Sequence, residues 1–260
     1  MIMAGGTDLI NFMQARAIVP EYVVDIKNIP EMSQLEFDEK EGLIVGALTK
    51  LRDIELSPLV QEKYPALAEA VHVVASTQVR SKGTLAGNIC NASPSADTVP
   101  ALIALGASLE IKGTEHPRRI PLDEFYLSFK KMALEPGEIV RSVRIPVQAS
   151  NTRAAYIKHA FRKAMDLAVV GVGASITIED GVCVDARLAL GAVAPTAVRA
   201  RNAEEVLIGS RLTNDVLEAA GKAAMNDCSP ISDVRASAEY RHDMVRVFTK
   251  RAVKKALERF

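Results

Sequence analysis

The sequence has 260 residues, enough for one large or two modest domains, and 48% of them are hydrophobic, enough for a packed core. Lys+Arg and Asp+Glu balance at 32 each, so no long-range field favours nucleic acid or a membrane surface as a partner. The three cysteines are far apart and form no Cys-x-x-Cys pair, so neither an internal iron–sulfur cluster nor a disulfide framework is predicted. This cysteine usage fits a reduced, cytoplasmic setting. No apolar run is of transmembrane length and no signal segment is recognisable, so we expect no membrane span.

The first 146 residues predict short strands alternating with helices. Apolar runs bounded by Pro, Asn or Gly at 22–26 and 43–46 predict strands, as do residues 109–111 and 139–145. Ser57-Pro58 predicts a helix start, and this helix should run towards residue 74 with a break at Pro65. A further helix is predicted over 98–106, and Asp97 occupies its N-cap position. The polar segment 146–152 predicts a boundary, which gives domains at 1–147 and 152–260.

The remaining residues predict an antiparallel meander followed by helices. Strands are expected over 154–162, 168–178 and 182–190, with Gly181 in the turn between the last two. Helices are expected over 213–225 and 239–260. The last helix has apolar residues at helical spacing and Arg and Lys opposite them, which we interpret as a solvated face rather than a docking surface.

Two glycine-bearing segments point to a ligand. Residues 4–9 read A-G-G-T-D-L, and residues 84–97 read T-L-A-G-N-I-C-N-A-S-P-S-A-D. Glycine lets the backbone turn tightly and approach a ligand, so that N–H groups can face phosphate oxygens. One such loop is weak evidence. Two loops rich in Thr, Asn, Ser and Asp predict an extended ligand with a diphosphate and several hydroxyls, such as FAD.

A third segment, K-H-A-F-R-K-A-M-D-L-A at residues 158–168, makes a family resemblance specific. Together the segments resemble the patterns A-G-G-T-D-L, T-x-G-G-N-I-x-N-A-S-P-x-A-D and K-x-x-x-R-x-x-x-D-x-A. These belong to the FAD-binding, or medium, subunits of the xanthine dehydrogenase / carbon monoxide dehydrogenase family of molybdenum hydroxylases. The resemblance runs along essentially the whole chain, and Ala86 is the departure, standing where the family has the first of two paired glycines.

The resemblance implies an α+β fold. The expected architecture is an FAD-binding domain of the vanillyl-alcohol-oxidase/PCMH type, followed by a small C-terminal α+β domain made of an antiparallel sheet plus helices. Family members usually carry a helix and a strand before the A-G-G-T-D-L loop, so the N-terminal unit is expected to be truncated, with Ile2 as the stub of that strand.

The resemblance also implies FAD as cofactor and a set of cofactor-binding residues, drawn from the two glycine segments and four further positions. This set is Met3, Ala4, Gly5, Gly6, Thr7, Asp8, Leu9, Val74, Thr84, Leu85, Ala86, Gly87, Asn88, Asp97, Val140 and Lys158. No catalytic side-chain set is expected, and the histidines lack metal-ligand spacing.

In the first loop, we expect backbone N–H groups to donate to the diphosphate with help from the Thr7 hydroxyl, while Asp8 fixes the loop or accepts from a sugar hydroxyl. The alternative is a plain strand-to-helix turn. In the second loop, Thr84 and Asn88 should supply a hydroxyl and an amide, and Gly87 should allow close approach. Ala86 is expected to be harmless unless its backbone needs a positive φ.

Three further positions are open to two interpretations. Asp97 either contacts cofactor hydroxyls or simply caps a helix. Val74 and Val140 either line the cofactor or are ordinary core residues.

The resemblance places Lys158 near the isoalloxazine ring, where a fixed cation would stabilise the negative charge of reduced flavin. The alternative is an exposed lysine on a strand edge. Arg162 and Asp166 either brace that strand or border the side where NAD approaches.

The implied function is electron transfer within a complex. The expected partners are a 2Fe–2S small subunit and a molybdopterin large subunit, with electrons leaving FAD for NAD or another acceptor. Two alternatives stay open: a stand-alone flavin oxidoreductase of the vanillyl-alcohol-oxidase type, and a non-catalytic assembly subunit that has lost FAD.

Overall fold

The computed structural model describes residues 1–113 and 116–260, and its longer strands form two separate antiparallel sheets. The last strand of the first sheet ends at Ile145, and the second sheet begins at Thr152. The predicted α+β architecture is confirmed, because helices and antiparallel sheets make up both parts.

The strands and helices of the first domain follow in chain order. They are β1 (Ile2–Met3), α1 (Leu9–Gln14), β2 (Val24–Asp25), β3 (Leu35–Asp38), β4 (Gly42–Gly46), α2 (Leu51–Leu56), α3 (Pro58–Lys63), α4 (Pro65–His72), α5 (Thr77–Arg80), α6 (Leu85–Cys90), α7 (Thr98–Ala104), β5 (Ser108–Lys112), β6 (Arg118–Pro121), β7 (Tyr126–Ser128), β8 (Lys131–Met132) and β9 (Ile139–Ile145). The five-stranded sheet has the order β3-β4-β9-β5-β6, while β1 and β2 pair in parallel as a separate two-stranded sheet.

The second domain has fewer and longer elements. They are β10 (Thr152–His159), β11 (Val170–Glu179), β12 (Val182–Gly191), β13 (Val198–Arg199), α8 (Arg201–Leu207), α9 (Asn214–Ala224) and α10 (Ala238–Leu257). The four strands pair in sequence order as an antiparallel meander, of which the first three strands were predicted and the short β13 was not. The turn between β11 and β12 has positive φ at both Asp180 (49°) and Gly181 (77°), the backbone of a tight hairpin turn.

Proline and serine set the helix boundaries in the segment 57–72. The Ser57 hydroxyl accepts the Val60 N–H at 3.4 Å, and Pro58 begins α3. Pro65 then begins α4 at the predicted break, because a proline ring is tolerated in the first turn of a helix and not in its interior.

Helix α7 of the first domain packs directly on the sheet of the second. A Cβ built on Gly173 would lie 2.4 Å from the Pro100 carbonyl oxygen, and one on Gly191 would lie 2.7 Å from Pro100 Cγ. These two glycines therefore leave a flat surface on β11 and β12, here called the glycine floor. The whole of α7 is buried between this surface and the first-domain core.

The free edge of β10 is covered by side chains instead of another strand. Glu69 on α4 accepts the Tyr156 N–H at 2.9 Å, and Lys255 on α10 donates to the Tyr156 carbonyl at 3.2 Å. Arg259 donates to the Ala154 carbonyl and pairs with Glu69. Because these groups come from both domains, the edge of β10 is part of the joint between them.

The glycine floor generates the first prediction. Gly173→Ala should lower the free energy of unfolding by about 3 kcal/mol, because the new methyl would push α7 from the sheet. Gly137→Ala is the control. Its φ is 88° and no described atom lies within 4 Å of the added Cβ, so backbone strain alone should cost about 1 kcal/mol. Equal losses in denaturant unfolding would contradict the packing account.

Candidate functional site

The first glycine loop contains consecutive backbone N–H groups that make no hydrogen bond within the described residues. It connects β1 to α1, and the backbone N–H groups of Gly5, Gly6, Thr7 and Asp8 have no acceptor among the described residues. Gly6 has a φ of 74°, which turns the chain so that successive N–H groups can converge. Gly5, Gly6 and Thr7 are half-buried and Asp8 is exposed, so these N–H groups are within reach of an acceptor from outside the chain.

The second glycine segment differs from the expected open loop, because its first half is helix α6. Thr84 caps this helix, and its Oγ1 accepts the Gly87 N–H at 3.1 Å. The Leu85 N–H donates to the Thr49 carbonyl, and Asn88 Oδ1 accepts the Thr98 hydroxyl at 2.7 Å. Much of this segment's hydrogen bonding is therefore used inside the fold. Ala86 lies in the helix without a positive φ, so its methyl causes no backbone strain, and its effect on cofactor binding stays a prediction.

The two segments lie against each other. A Cβ built on Gly5 would lie 2.2 Å from the Lys82 carbonyl oxygen and 2.8 Å from Gly83 Cα. Only glycine fits at position 5, and this close approach brings the first loop beside the start of the Thr84-capped helix. The structure thus brings together the predicted residues from 3 to 9 and from 84 to 88.

Asp97 does not cap α7. Its backbone is helical (φ −63°, ψ −34°) and its side chain makes no cap hydrogen bond, so the helix-cap interpretation is wrong. Its carboxylate instead reaches across the domain joint to β10, where Oδ1 accepts the Tyr156 hydroxyl and Oδ2 accepts Lys158 Nζ, each at 2.9 Å. Burial raises the pKa of Asp97, and the contacts with Lys158 and Tyr156 act in the opposite direction.

Lys158 is half-buried as a residue, and only 9% of its side chain is exposed, so the interpretation as an exposed edge lysine is wrong. Its Nζ donates to Asp97, to the Val73 carbonyl at 3.2 Å and to the Asp166 carbonyl at 2.7 Å. The three partners match the three donors of an ammonium group. Lys158 is therefore a fixed cation whose charge is compensated by Asp97.

Asp166 stabilises the loop of residues 162–167, which contacts Lys158. Its carboxylate accepts the backbone N–H groups of Arg162 and Leu167, each at 3.0 Å, which lowers its pKa. The same residue presents its carbonyl to Lys158. The Lys, Arg and Asp of the third motif thus serve one local arrangement, and the expectation that Asp166 braces this region is confirmed.

A buried charge network, missed by the sequence analysis, supports the segment that leads to Thr84. Glu55 on α2 and Arg80 on α5 form a bidentate pair at 2.8 and 3.0 Å, and Arg80 also donates to the Val74 carbonyl at 2.8 Å. Burial acts to raise the pKa of Glu55. Hydrogen bonds from Arg80, Arg52 and His72 outweigh it and hold that pKa at about 2. In the sequence, Glu55 and Arg80 look like ordinary charged helix residues, so no sequence feature identifies them as a buried ion pair.

Val74 and Val140 are buried members of the first-domain core. The Val74 carbonyl accepts a hydrogen bond from the Arg80 guanidinium. Whether either residue lines a cofactor stays a prediction.

The described residues contain no group of His, Cys, Asp or Glu placed to hold a metal ion. Nor does any helix in the described part of the chain combine the length and apolar character that a membrane span requires.

Comparison with known proteins identifies the family. Residues 1–148 match the family described as FAD binding domain in molybdopterin dehydrogenase, and residues 155–256 match the CO dehydrogenase flavoprotein C-terminal domain. The chain belongs to the FAD-binding medium subunits of the molybdenum hydroxylases. The resemblance inferred from the three motifs is therefore confirmed.

Relatives of this medium-subunit family align over almost the whole chain. The carbon monoxide dehydrogenase medium chain of Hydrogenophaga pseudoflava is 34% identical over 99% of this chain and 89% of its own length. A putative xanthine dehydrogenase FAD-binding subunit of Escherichia coli is 32% identical over 98% of this chain and 88% of its own.

Solved structures agree. A carbon monoxide dehydrogenase structure from Hydrogenophaga pseudoflava superposes with a TM-score of 0.96 at 35% identity, covering 100% of this chain and 90% of that one. Quinoline 2-oxidoreductase from Pseudomonas putida gives 0.92 at 30% identity, covering 99% and 89%.

The Glu55–Arg80 pair generates the second prediction. The pKa of Glu55 falls from its ordinary 4.5 to about 2 on folding, so its stabilisation is present above pH 4.5 and is lost as the pH falls towards 2. Glu55→Gln should lower the free energy of unfolding by roughly 3 kcal/mol at pH 6, because buried Arg80 loses its counter-charge.

Below pH 4.5 the difference from the unsubstituted chain should shrink. Denaturant unfolding from pH 6 to pH 3 measures it, with the exposed Glu62→Gln as control. A difference that is constant over this pH range would show that the Glu55 charge has no role.

Proposed function

We propose that this chain binds FAD as the electron-transfer subunit of a molybdenum hydroxylase complex, with the first glycine loop holding the diphosphate. The observation that carries this proposal is the row of unpaired N–H groups at residues 5–8, with Gly6 at positive φ. A diphosphate supplies several anionic acceptors to such a row, and hydrogen bonds to charged acceptors are the strong ones. The residues present therefore fit the cofactor that defines the family.

The other predicted cofactor residues take more specific roles in this proposal. Gly5 fixes the first loop against residues 82–83, and Thr84 holds α6 beside it. The buried pair of Asp97 and Lys158 provides a fixed charge arrangement where the two domains meet. We place the domain limits at 1–147 and 152–260, on either side of the segment between β9 and β10.

Bound FAD supplies the redox chemistry, and the chain's own residues bind it, orient it and set its electrostatic surroundings. We propose that electrons reach this subunit from 2Fe–2S clusters of a small subunit, after substrate oxidation at a molybdopterin large subunit. They then leave to NAD or another acceptor. In support, relatives are named as medium chains and FAD-binding subunits, and one matched carbon monoxide dehydrogenase is described as lacking the Mo-pyranopterin moiety of its molybdenum cofactor.

The diphosphate loop generates the third prediction. Gly6→Val should leave less than about a tenth of the flavin content of the unsubstituted chain, because a β-branched residue cannot keep the φ of 74° that orients the N–H row. Flavin per polypeptide is measured by visible absorbance of purified protein.

Gly181→Val is the matched control, since Gly181 has a φ of 77° in the hairpin turn of the second domain. It carries similar backbone strain away from the loop and should retain its flavin. Full flavin content in Gly6→Val would show that the loop does not hold the diphosphate.

A further inference from the structure

Tyr156 was not predicted as a site residue, yet it is the second partner of Asp97. It lies on β10, two residues before Lys158, with 2% of its surface exposed. Its hydroxyl donates to Asp97 Oδ1 at 2.9 Å, while Lys158 holds Oδ2. Each oxygen of this buried carboxylate therefore has its own donor.

We propose that Tyr156 is a positioning residue that keeps the Asp97 carboxylate ionised and turned towards Lys158, so that the Lys158 charge beside the FAD site stays compensated. The location of Lys158 beside FAD rests on the proposed function. The hydrogen bonds that join Tyr156, Asp97 and Lys158 are independent of it.

The surrounding backbone fixes the Tyr156 hydroxyl in place. The N–H and carbonyl of Tyr156 are held by Glu69 and Lys255 at the edge of β10. Across the sheet, a Cβ on Gly171 would lie only 2.6 Å from the hydroxyl, so the ring depends on the absence of a side chain there. Gly171 pairs directly with Lys158 in the register of β10 and β11. The space that the Tyr156 ring occupies therefore lies next to Lys158.

Few other charges act on Asp97. Lys158 is the only cation among the described residues within hydrogen-bond distance of its carboxylate. The Asp166 carboxylate is occupied by N–H groups of its own loop, and Glu69 is paired with Lys255 and Arg259. The facing strands β11 and β12 contribute Gly173 and Gly191 where α7 packs on them.

Loss of the Tyr156 hydroxyl would leave Asp97 Oδ1 buried without a donor. The pKa of Asp97 is already raised by burial, so it should rise further. Protonation of Asp97 would then leave Lys158 as an uncompensated cation. The hydroxyl of Tyr156 therefore controls the net charge of the site through Asp97.

The test is the titration of the Asp97 carboxyl in the full purified chain, followed by ¹³C NMR of labelled aspartate and assigned with Asp97→Asn. Tyr156→Phe should shift the Asp97 midpoint to higher pH by roughly one to two units, as expected for one lost hydrogen bond to a charged group. Tyr64→Phe is the matched control, since the buried Tyr64 hydroxyl donates to the Pro146 carbonyl at 3.1 Å, away from Asp97. An unchanged Asp97 midpoint in Tyr156→Phe would overturn the proposal.

Gly171→Ala gives an independent variant if Tyr156→Phe folds poorly, because the added methyl displaces the hydroxyl and should cause the same shift. The reduction potential of bound FAD, measured above and below the Asp97 midpoint found in the Tyr156→Phe variant, tests the location of these residues. Asp97→Asn should make the potential more positive at both pH values, and Tyr156→Phe should do so only below that midpoint. A shifted Asp97 titration with unchanged potentials would retain the positioning role and overturn the placement beside FAD.

Discussion

The buried ion pair between Asp97 and Lys158 is the contact on which the site depends. It joins the start of α7 in the first domain to β10 in the second, and both side chains are almost fully buried. Removing two charges from water is expensive, and their attraction offsets this only when the remaining polar atoms are also paired. Tyr156, the Val73 carbonyl and the Asp166 carbonyl supply those partners. The pair therefore links the two domains through a contact in which both charged groups are fully hydrogen-bonded.

Glycines make the close approaches that this arrangement needs. Gly173 and Gly191 let α7 lie on the second sheet, and Gly5 lets the first loop lie against residues 82–83. Gly6 has a different purpose, because its positive φ shapes a loop whose N–H groups stay unpaired. The fold thus uses much of the hydrogen bonding of the Thr84 segment internally, whereas the N–H groups of residues 5–8 have no partner among the described residues.

Features with local causes were predictable from the sequence. The break at Pro65, the turn at Gly181 and the first glycine loop each follow from the conformational limits of a few neighbouring residues. Features that two different contacts could explain were not predictable. The sequence around Thr84 is the same whether Thr84 caps a helix or binds a phosphate. The sequence around Asp97 is likewise the same whether Asp97 caps α7 or pairs with a lysine 61 residues away. Tyr156, Glu55 and Arg80 escaped prediction because their partners are set only by the packing of distant segments.

The proposed role of the unpaired N–H groups at residues 5–8 is to bind the diphosphate of FAD. Calorimetric titration of flavin-free chain with FAD and with FMN tests it most directly, because FMN has the same ring and lacks the diphosphate bridge. We expect FAD to bind at least about a hundredfold more tightly, as two lost charge-assisted hydrogen bonds would cause. Equal affinity for FAD and FMN would show that the first glycine loop does not bind the diphosphate.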